Sequence, residues 1–339
     1  MKCIPVQEAV GSILCHDITQ ILPGEFKGRR FKKGHIIQEE DIPVLLSLGK
    51  DNIYVWENLP GMVHENDAAT FLKDITMGDG LTFGEIKEGK ITFTAAHDGL
   101  LKVDADRLFQ LNMLGEISFA SLHNNLPVKK GEAVAGTRVI PLVIDQKKLD
   151  EAKKLLDGHK IIEVKPMKSF NIGIVTTGSE VYYHRIEDKF GPILRGKMEA
   201  YHCTVAGQTF VPDDKEMIEA AIKDWLDKGV DMVFCTGGMS VDPDDLTPSA
   251  IRDTGCEIVT YGTPVLPGAM FLLSYYTDGR PVLGLPGCVM HSKVTVFDLI
   301  FPRILAGEKI TMADIAAFGH GGLCSNCAEC HYPNCHFGK

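Results

Sequence analysis

The sequence has no apolar run close to the ~18–20 residues of a membrane-spanning helix, and it has no internal repeat or low-complexity tract. Its first residues, Met-Lys-Cys-Ile-Pro-Val-Gln-Glu, lack the apolar core of a signal peptide, so we expect a cytoplasmic protein. Positive charge is not in excess either, because the chain has 35 basic and 45 acidic residues and a formal net charge of −10. We therefore expect neither nucleic acid nor a membrane as a partner.

The 339 residues, 45% of them hydrophobic, suffice for two or three domains with cores of their own. Their patterns predict an N-terminal α+β segment over 1–60 and a β-rich module with a linker helix over 61–165. An α/β domain over 166–310 and a cysteine-rich tail over 318–339 follow. Strand–helix alternation in the third region predicts a three-layer α/β/α fold with a mostly parallel sheet, preceded by small β-rich domains.

Hydrophobic periodicity and turn residues place the individual elements. Predicted helices cover 39–48, 145–158, 213–228, 246–254 and a helix-like stretch over 289–305. Predicted strands cover 52–56, 90–94, 171–176, 203–211, 231–235, 258–261, 271–276 and 281–285.

Three of these strands end in glycine-containing turns. The first runs into Thr176-Thr177-Gly178-Ser179-Glu180, the second into Thr236-Gly237-Gly238, and the third into Pro286-Gly287. Ligands of parallel α/β sheets bind outside the carboxyl ends of the strands, where glycine allows close approach and backbone amides hold anions. The three turns together predict one anion-binding site.

Three carboxylates, Asp242, Asp244 and Asp245, follow the second turn. They would repel a bare phosphate, but they suit a divalent cation such as Mg²⁺ that lies between protein and ligand. A structural turn with solvated acids is the alternative.

At these turns the sequence resembles the molybdopterin-binding domain shared by molybdopterin adenylyltransferases and molybdenumtransferases, the MogA, MoeA and gephyrin types. The resemblance covers roughly 168–306. It is carried by the turn 176–180, by Pro212-Asp213-Asp214, by Thr236-Gly237-Gly238 with Asp245 in 243–248, and by Gly-Leu-Pro-Gly at 284–287.

The resemblance implies that the domain binds molybdopterin, with or without an AMP group, together with Mg²⁺ at Asp245. Asp213 and Glu180 are further candidate catalytic carboxylates, although Asp213 could simply cap the helix that follows it. The candidate ligand-binding residues are Thr176, Thr177, Gly178, Ser179, Thr236, Gly237, Gly238, Ser240, Pro286, Gly287 and Cys288.

Three departures from the family pattern count against a standard molybdate-inserting enzyme. Pro267-Gly268-Ala269-Met270 lacks the lysine of the transferases' Pro-Gly-Lys-Pro segment, and their Ser-x-Met-Asp-Gly segment has at best a remnant at 96–99. Cys288 replaces their asparagine. At the start of a helix its thiol pKa would be lowered, and we hypothesise that the thiolate contacts the ligand or its metal. The alternative is a small buried cysteine.

Three functions remain open. The first is an enzyme of molybdenum cofactor assembly that inserts molybdate into adenylated molybdopterin and releases AMP. The second is a non-catalytic carrier that passes the cofactor to a molybdoenzyme or another assembly protein. The third is a nucleotide pyrophosphatase of the competence-protein type. A homo-oligomer is expected from the resemblance.

The tail places Cys324, Cys327, Cys330 and Cys335 within twelve residues, interleaved with histidines. Paired Cys-x2-Cys spacing is typical of tetrahedral zinc sites and of iron–sulfur clusters. The sequence therefore predicts zinc or an iron–sulfur cluster at these four cysteines, with an unliganded flexible tail as the alternative.

Overall fold

The computed structural model of the protein describes residues 2–22, 26–55 and 60–339. The chain divides into two units. The first comprises residues 1–96, 103–122 and 131–163, and the second comprises 97–102, 123–130 and 164–339. The division into four regions stays a prediction.

Short strands and four α-helices occupy the described residues before 166. The strands are β1 (Lys2–Pro5), β2 (Ile18–Leu22), β3 (Phe26–Phe31), β4 (Asn52–Val55), β5 (Met62–His64), β6 (Leu81–Phe83), β7 (Lys90–Ala95), β8 (Gly99–Val103), β9 (Ile117–Ser121), β10 (Leu126–Val128), β11 (Ala133–Val139), β12 (Val143–Asp145) and β13 (Ile162–Lys165). The helices are α1 (Asp41–Ser47), α2 (Glu65–Thr76), α3 (Ala105–Met113) and α4 (Gln146–Leu156). Antiparallel pairing in the first unit forms the sheet β6-β7-β11-β9 and the pairs β1-β4, β2-β3 and β5-β12.

The second unit is built on a six-stranded sheet in the order β15-β14-β16-β19-β18-β17. Its strands are β14 (Asn171–Thr177), β15 (Thr204–Val211), β16 (Met232–Thr236), β17 (Glu257–Tyr261), β18 (Leu272–Tyr275) and β19 (Pro281–Leu285). Its helices are α5 (Ser179–Tyr182), α6 (Phe190–Ala200), α7 (Lys215–Asp227), α8 (Thr247–Asp253), α9 (Val296–Leu305) and α10 (Met312–Ala317). The first four strands in this order, β15, β14, β16 and β19, are parallel to one another. Strand β18 is antiparallel to both of its neighbours, β19 and β17.

Side chains that alternate along these strands build two cores, one on each face of the sheet. Ile174, Phe234 and Leu283 pack with α6 and α9 on one face. On the other face Val175 and Val233 pack with α7 and α8. This is the predicted three-layer α/β/α fold, and the burial of both faces explains why the central strands β16 and β19 are apolar along their whole length.

The element predictions need three corrections. The helix over 213–228 is capped by Asp214, whose side chain accepts a bond from the Met217 amide at 2.9 Å, and not by Asp213. The helix-like stretch predicted over 289–305 is two separate elements, a short 3-10 helix, Gly287–Met290, and the helix α9, Val296–Leu305. The strand over 52–56 ends at Val55, and Trp56 lies outside the described residues.

No helix in the described part of the chain has the length and apolarity to cross a membrane.

Candidate functional site

The three predicted turns meet at one edge of the sheet, because β14, β16 and β19 are adjacent and parallel. Their carboxyl ends are paired in register, with Thr176 opposite Thr236 and Thr236 opposite Leu285. The turns that follow these residues therefore begin at the same level of the sheet.

The Gly237-Gly238 turn packs directly on the end of β14. Both glycines have positive φ, +85° and +55°. A Cβ atom on Gly237 would lie 2.1 Å from the Thr177 carbonyl oxygen, and one on Gly238 would lie 2.8 Å from the Thr247 hydroxyl. Glycine is required here for contact within the protein as well as for backbone conformation.

The threonine hydroxyls of these turns bond to one another. Thr236 donates to the Thr176 hydroxyl at 3.1 Å, and Gln208 also donates to it at 2.9 Å. Thr247 donates to the Gly237 carbonyl at 2.8 Å and lies 3.1 Å from the Thr177 hydroxyl. Thr176, Thr177 and Thr236 are buried, so these hydroxyls hold the turns together and do not face solvent.

A cavity of about 590 Å³ opens in front of the second and third turns. Six of the predicted ligand-binding residues line it: Gly237, Gly238, Ser240, Pro286, Gly287 and Cys288. The opposite wall is the segment 266–270, and three methionines and Phe190 add apolar surface that the sequence reading missed. Such a mixture of apolar walls and a few polar groups is typical of small-molecule sites.

Two carboxylates, Asp242 and Asp245, also line this cavity. The Asp242 amide donates to Asp245 Oδ2 at 3.2 Å, and the Asp245 amide donates to the Asp242 carbonyl at 3.0 Å, so the two residues form a closed turn. The residues lining the cavity include no lysine, arginine or histidine. An anionic ligand would need backbone amides and a cation to offset these charges.

Tyr261, at the end of β17, holds the carboxylate-bearing turn and was not predicted. Its hydroxyl lies 2.9 Å from the carbonyl oxygens of both Met239 and Ser240 and can only act as the donor. Burial and the nearby Asp245 raise the pKa of Tyr261, which keeps that donor protonated. No sequence signal pointed to it, because β17 lies at the sheet edge and two strands separate it from β16.

Asp213 and Glu180 lie at the first turn and do not line the cavity that holds Asp245. Asp213 Oδ2 accepts a bond from the Ser179 amide at 2.9 Å, which ties α5 to the end of β15. Glu180 is exposed, and a Cβ atom on Gly178 would lie 2.9 Å from its carboxylate. Their catalytic roles, and ligand binding by Gly178 and Ser179, stay predictions.

The expected lowering of the Cys288 thiol pKa is wrong, whereas contact between this residue and the ligand or its metal stays a prediction. Burial raises the pKa of the Cys288 thiol. The helix that was expected to lower it is a single four-residue 3-10 turn, which carries little dipole. Cys288 lines the cavity as a protonated, half-buried thiol.

The four tail cysteines line a different cavity, of about 450 Å³, together with His291, His331 and His336. Over residues 2–22, 26–55 and 60–339, no three His, Cys, Asp or Glu side chains are already grouped as a metal site. The metal prediction for the tail therefore stays a prediction, as does that for Mg²⁺ at Asp245.

Residues 173–306 match the family model described as "Probable molybdopterin binding domain". Residues 3–57 match a second model, described only as a domain of unknown function. The chain thus contains a molybdopterin-binding family domain, and the three strand-end turns belong to it.

Two relatives in sequence have names from molybdopterin biosynthesis. A molybdopterin molybdenumtransferase of Synechococcus elongatus is 26% identical over 144 residues, which cover 40% of this chain and 36% of that protein. A Methanocaldococcus jannaschii protein whose name places it in molybdopterin biosynthesis is 28% identical over 263 residues, which cover 69% of this chain and 62% of that protein. The chain thus matches less than two thirds of either relative's length.

Among solved structures, the molybdopterin biosynthesis enzyme MoaB of Thermus thermophilus is similar at 20% identity and a TM-score of 0.33. The match covers 41% of this chain and 98% of that one.

Proposed function

We propose that this chain, whose residues 173–306 form a domain of the molybdopterin-binding family, binds molybdopterin or its adenylated form in the cavity at the ends of β16 and β19. We further propose that it inserts molybdate and releases AMP. The observation that carries the proposal is the cavity itself, in which a Gly-Gly turn and a Pro-Gly turn of adjacent parallel strands face two carboxylates.

Mg²⁺ fits the donors of this cavity. Mg²⁺ is commonly bound by one or two carboxylates and by substrate phosphates, and it keeps several waters, so a full protein cage is not needed. Asp245 and Asp242 would hold the ion, which would supply charge neutralisation at the phosphoanhydride. Tyr261 positions these carboxylates by fixing the turn that bears them.

The apolar walls suit the flat pterin. Met239, Met270 and Met290 line the cavity and can adapt to an irregular ring system. Ser240, on the same turn as Asp242 and Asp245, offers a hydroxyl to the ligand.

A second function, that of a non-catalytic carrier, is favoured by one observation. Position 269, where the transferases have lysine, is alanine, and the cavity lining holds no basic side chain. Binding without stabilisation of the charge that develops in a transfer reaction would retain the cofactor and not convert it. The receiving partner would be a molybdoenzyme or another cofactor-assembly protein, in the cytoplasm, and a homo-oligomer belongs to the same proposal.

The test is to incubate the full chain with adenylated molybdopterin, Mg²⁺ and molybdate, and to follow AMP release and pterin retention together. Asp245→Asn removes one of the two cavity carboxylates, and Asp244→Asn is the matched control, because Asp244 is an exposed neighbour that does not line the cavity. We expect molybdate-dependent AMP release that Asp245→Asn lowers by about 100-fold and Asp244→Asn leaves unchanged.

The other outcomes separate the alternatives. Tight pterin retention without AMP release would replace the transferase by the carrier. AMP release that is independent of molybdate would indicate a pyrophosphatase. If neither retention nor release occurred, the whole proposal would be wrong.

A further inference from the structure

The cysteine-rich tail is docked on the α/β domain. Leu266 donates its amide to the Gly322 carbonyl at 2.8 Å, and the Cys324 amide donates to the Leu266 carbonyl at 2.8 Å. At the other end Phe337 is 2% exposed and belongs to the core cluster that contains α9. The tail is therefore anchored on both sides of its four cysteines.

The tail also closes on itself. The Gly338 amide donates to the Gly321 carbonyl at 2.9 Å, so residues 321–338 form a loop with its ends joined. Gly321 has a φ of +89°, and a Cβ atom on it would lie 2.2 Å from the Lys339 carbonyl oxygen. This closure needs glycine at position 321 and keeps the intervening thiols within one small loop.

The loop and the neighbouring segment 291–294 enclose the cavity of about 450 Å³. All four tail cysteines line it, and so do three histidines, one of which, His291, comes from outside the tail. Thiolate and imidazole are the ligands that zinc and iron–sulfur clusters use, whereas Mg²⁺ and Ca²⁺ take oxygen. None of these seven soft or borderline donors lines the cavity at the ends of β16 and β19, which is hereafter called the pterin cavity. The proposed pterin binding therefore gives no reason for their presence.

Two local bonds suit these side chains as ligands. The Asn326 amide lies 3.4 Å from Cys324 Sγ within the first Cys-x2-Cys turn, and amide bonds to sulfur stabilise thiolates in metal centres. His336 Nε2 lies 3.1 Å from the Leu323 carbonyl oxygen. A carbonyl only accepts, so Nε2 is the donor in this contact, which is the kind of bond that orients a metal-binding histidine.

We infer that the tail cavity is the site of one thiolate-ligated metal centre, held by Cys324, Cys327, Cys330 and Cys335. No three donors in the described residues already share one ligating point, so binding includes closure of the exposed Cys327 and Cys330 onto the half-buried Cys324 and Cys335. The shared chemistry is a soft metal that binds thiolates, as zinc or as an iron–sulfur cluster. This inference does not depend on the proposed function.

The centre would also support the wall of the pterin cavity. Pro267 lines both cavities, and Leu266, which lines the pterin cavity, is bonded to the tail through Gly322 and Cys324. A metal in the tail loop therefore restrains the segment 266–268.

The experiment is to purify the full chain anaerobically and without chelators, and to measure zinc, iron and acid-labile sulfide per chain. We expect about one zinc, or about two to four iron with matching sulfide and visible absorption. Cys327→Ser and Cys330→Ser should each lower the bound metal by about tenfold. Cys3→Ser, a change to an exposed cysteine outside the tail, should leave the metal content unchanged.

Two results would overturn the inference. One is less than about a tenth of an equivalent of either metal, both as purified and after incubation with Zn²⁺ or with Fe²⁺ and sulfide. The other is equal metal content in the Cys327→Ser/Cys330→Ser double variant and in Cys3→Ser. Far-UV circular dichroism checks that each variant is folded, and because both substituted thiols are exposed, we expect it to be unchanged.

Discussion

The replacement Gly237→Ala tests whether the second turn packs against β14 as closely as the structure indicates. The φ of Gly237 is +85°, and an added Cβ atom would lie 2.1 Å from the Thr177 carbonyl oxygen and 2.8 Å from the Thr177 hydroxyl oxygen. Gly229→Ala is the matched control. Its φ is +78°, but no heavy atom lies within 4 Å of the added Cβ.

Both variants place alanine in the left-handed region, which costs about 1–2 kcal/mol. Only Gly237→Ala adds steric overlap, because favourable contacts with carbon lie at about 3.5–4.0 Å. Overpacking typically costs about 1–3 kcal/mol more. We therefore expect a loss in the free energy of unfolding of about 2–5 kcal/mol for Gly237→Ala and about 1–2 kcal/mol for Gly229→Ala.

The assay is urea unfolding followed by the fluorescence of Trp225, in a Trp56→Phe background so that a single tryptophan reports. Trp225 is buried in the core that packs α7 on the sheet, and it therefore reports on the unit that contains the turn. Equal losses in the two variants would refute the close packing of the Gly237 turn on β14. The same conclusion would follow if Gly229→Ala lowered the affinity for the pterin as much as Gly237→Ala does.

Three further predictions concern single side chains. Tyr261→Phe removes the hydroxyl donor that lies 2.9 Å from two carbonyl oxygens of the carboxylate turn. We expect this change to lower the free energy of unfolding in urea by about 0.5–1.5 kcal/mol and to weaken Mg²⁺-dependent ligand binding. Unchanged binding would contradict the positioning role of Tyr261. Because burial raises the pKa of Cys288, its alkylation by iodoacetamide should be slower at pH 7 than that of a free cysteine and should rise only at higher pH; fast alkylation at pH 7 would contradict this. Burial alone would raise the pKa of Asp314, but hydrogen bonds from Thr311 and Arg303 lower it from 3.8 to about 2. This carboxylate thus contributes at most about 2 kcal/mol, which is fully present above pH 3.8 and is lost as the pH falls through about 2. Asp314→Asn should therefore lower stability more at pH 7 than at pH 2.

Much of the fold was predictable because its signals are local. The central strands β16 and β19 are apolar runs buried along their whole length, as parallel strands covered on both faces must be. The ends of the strands in the α/β domain lie within one or two residues of the predicted positions. The least predictable position was the boundary between the Pro-Gly turn and α9. The capping box at Thr295, in which Asp298 accepts from the Thr295 amide at 2.7 Å, starts a new helix there.

The sequence alone determined which residues form the turns, because glycine, proline and the carboxylates restrict the backbone and its ligands wherever they occur. Tertiary structure decided which of those residues reach the cavity. It buried Thr176, Thr177 and Thr236 in bonds to one another or to Gln208 and Thr247, although the sequence alone placed all three among the candidate ligand-binding residues. It brought Tyr261 across two intervening strands to hold the carboxylate turn. Such contacts depend on strand order and burial, which arise from the packing of distant segments and leave no local pattern in the chain.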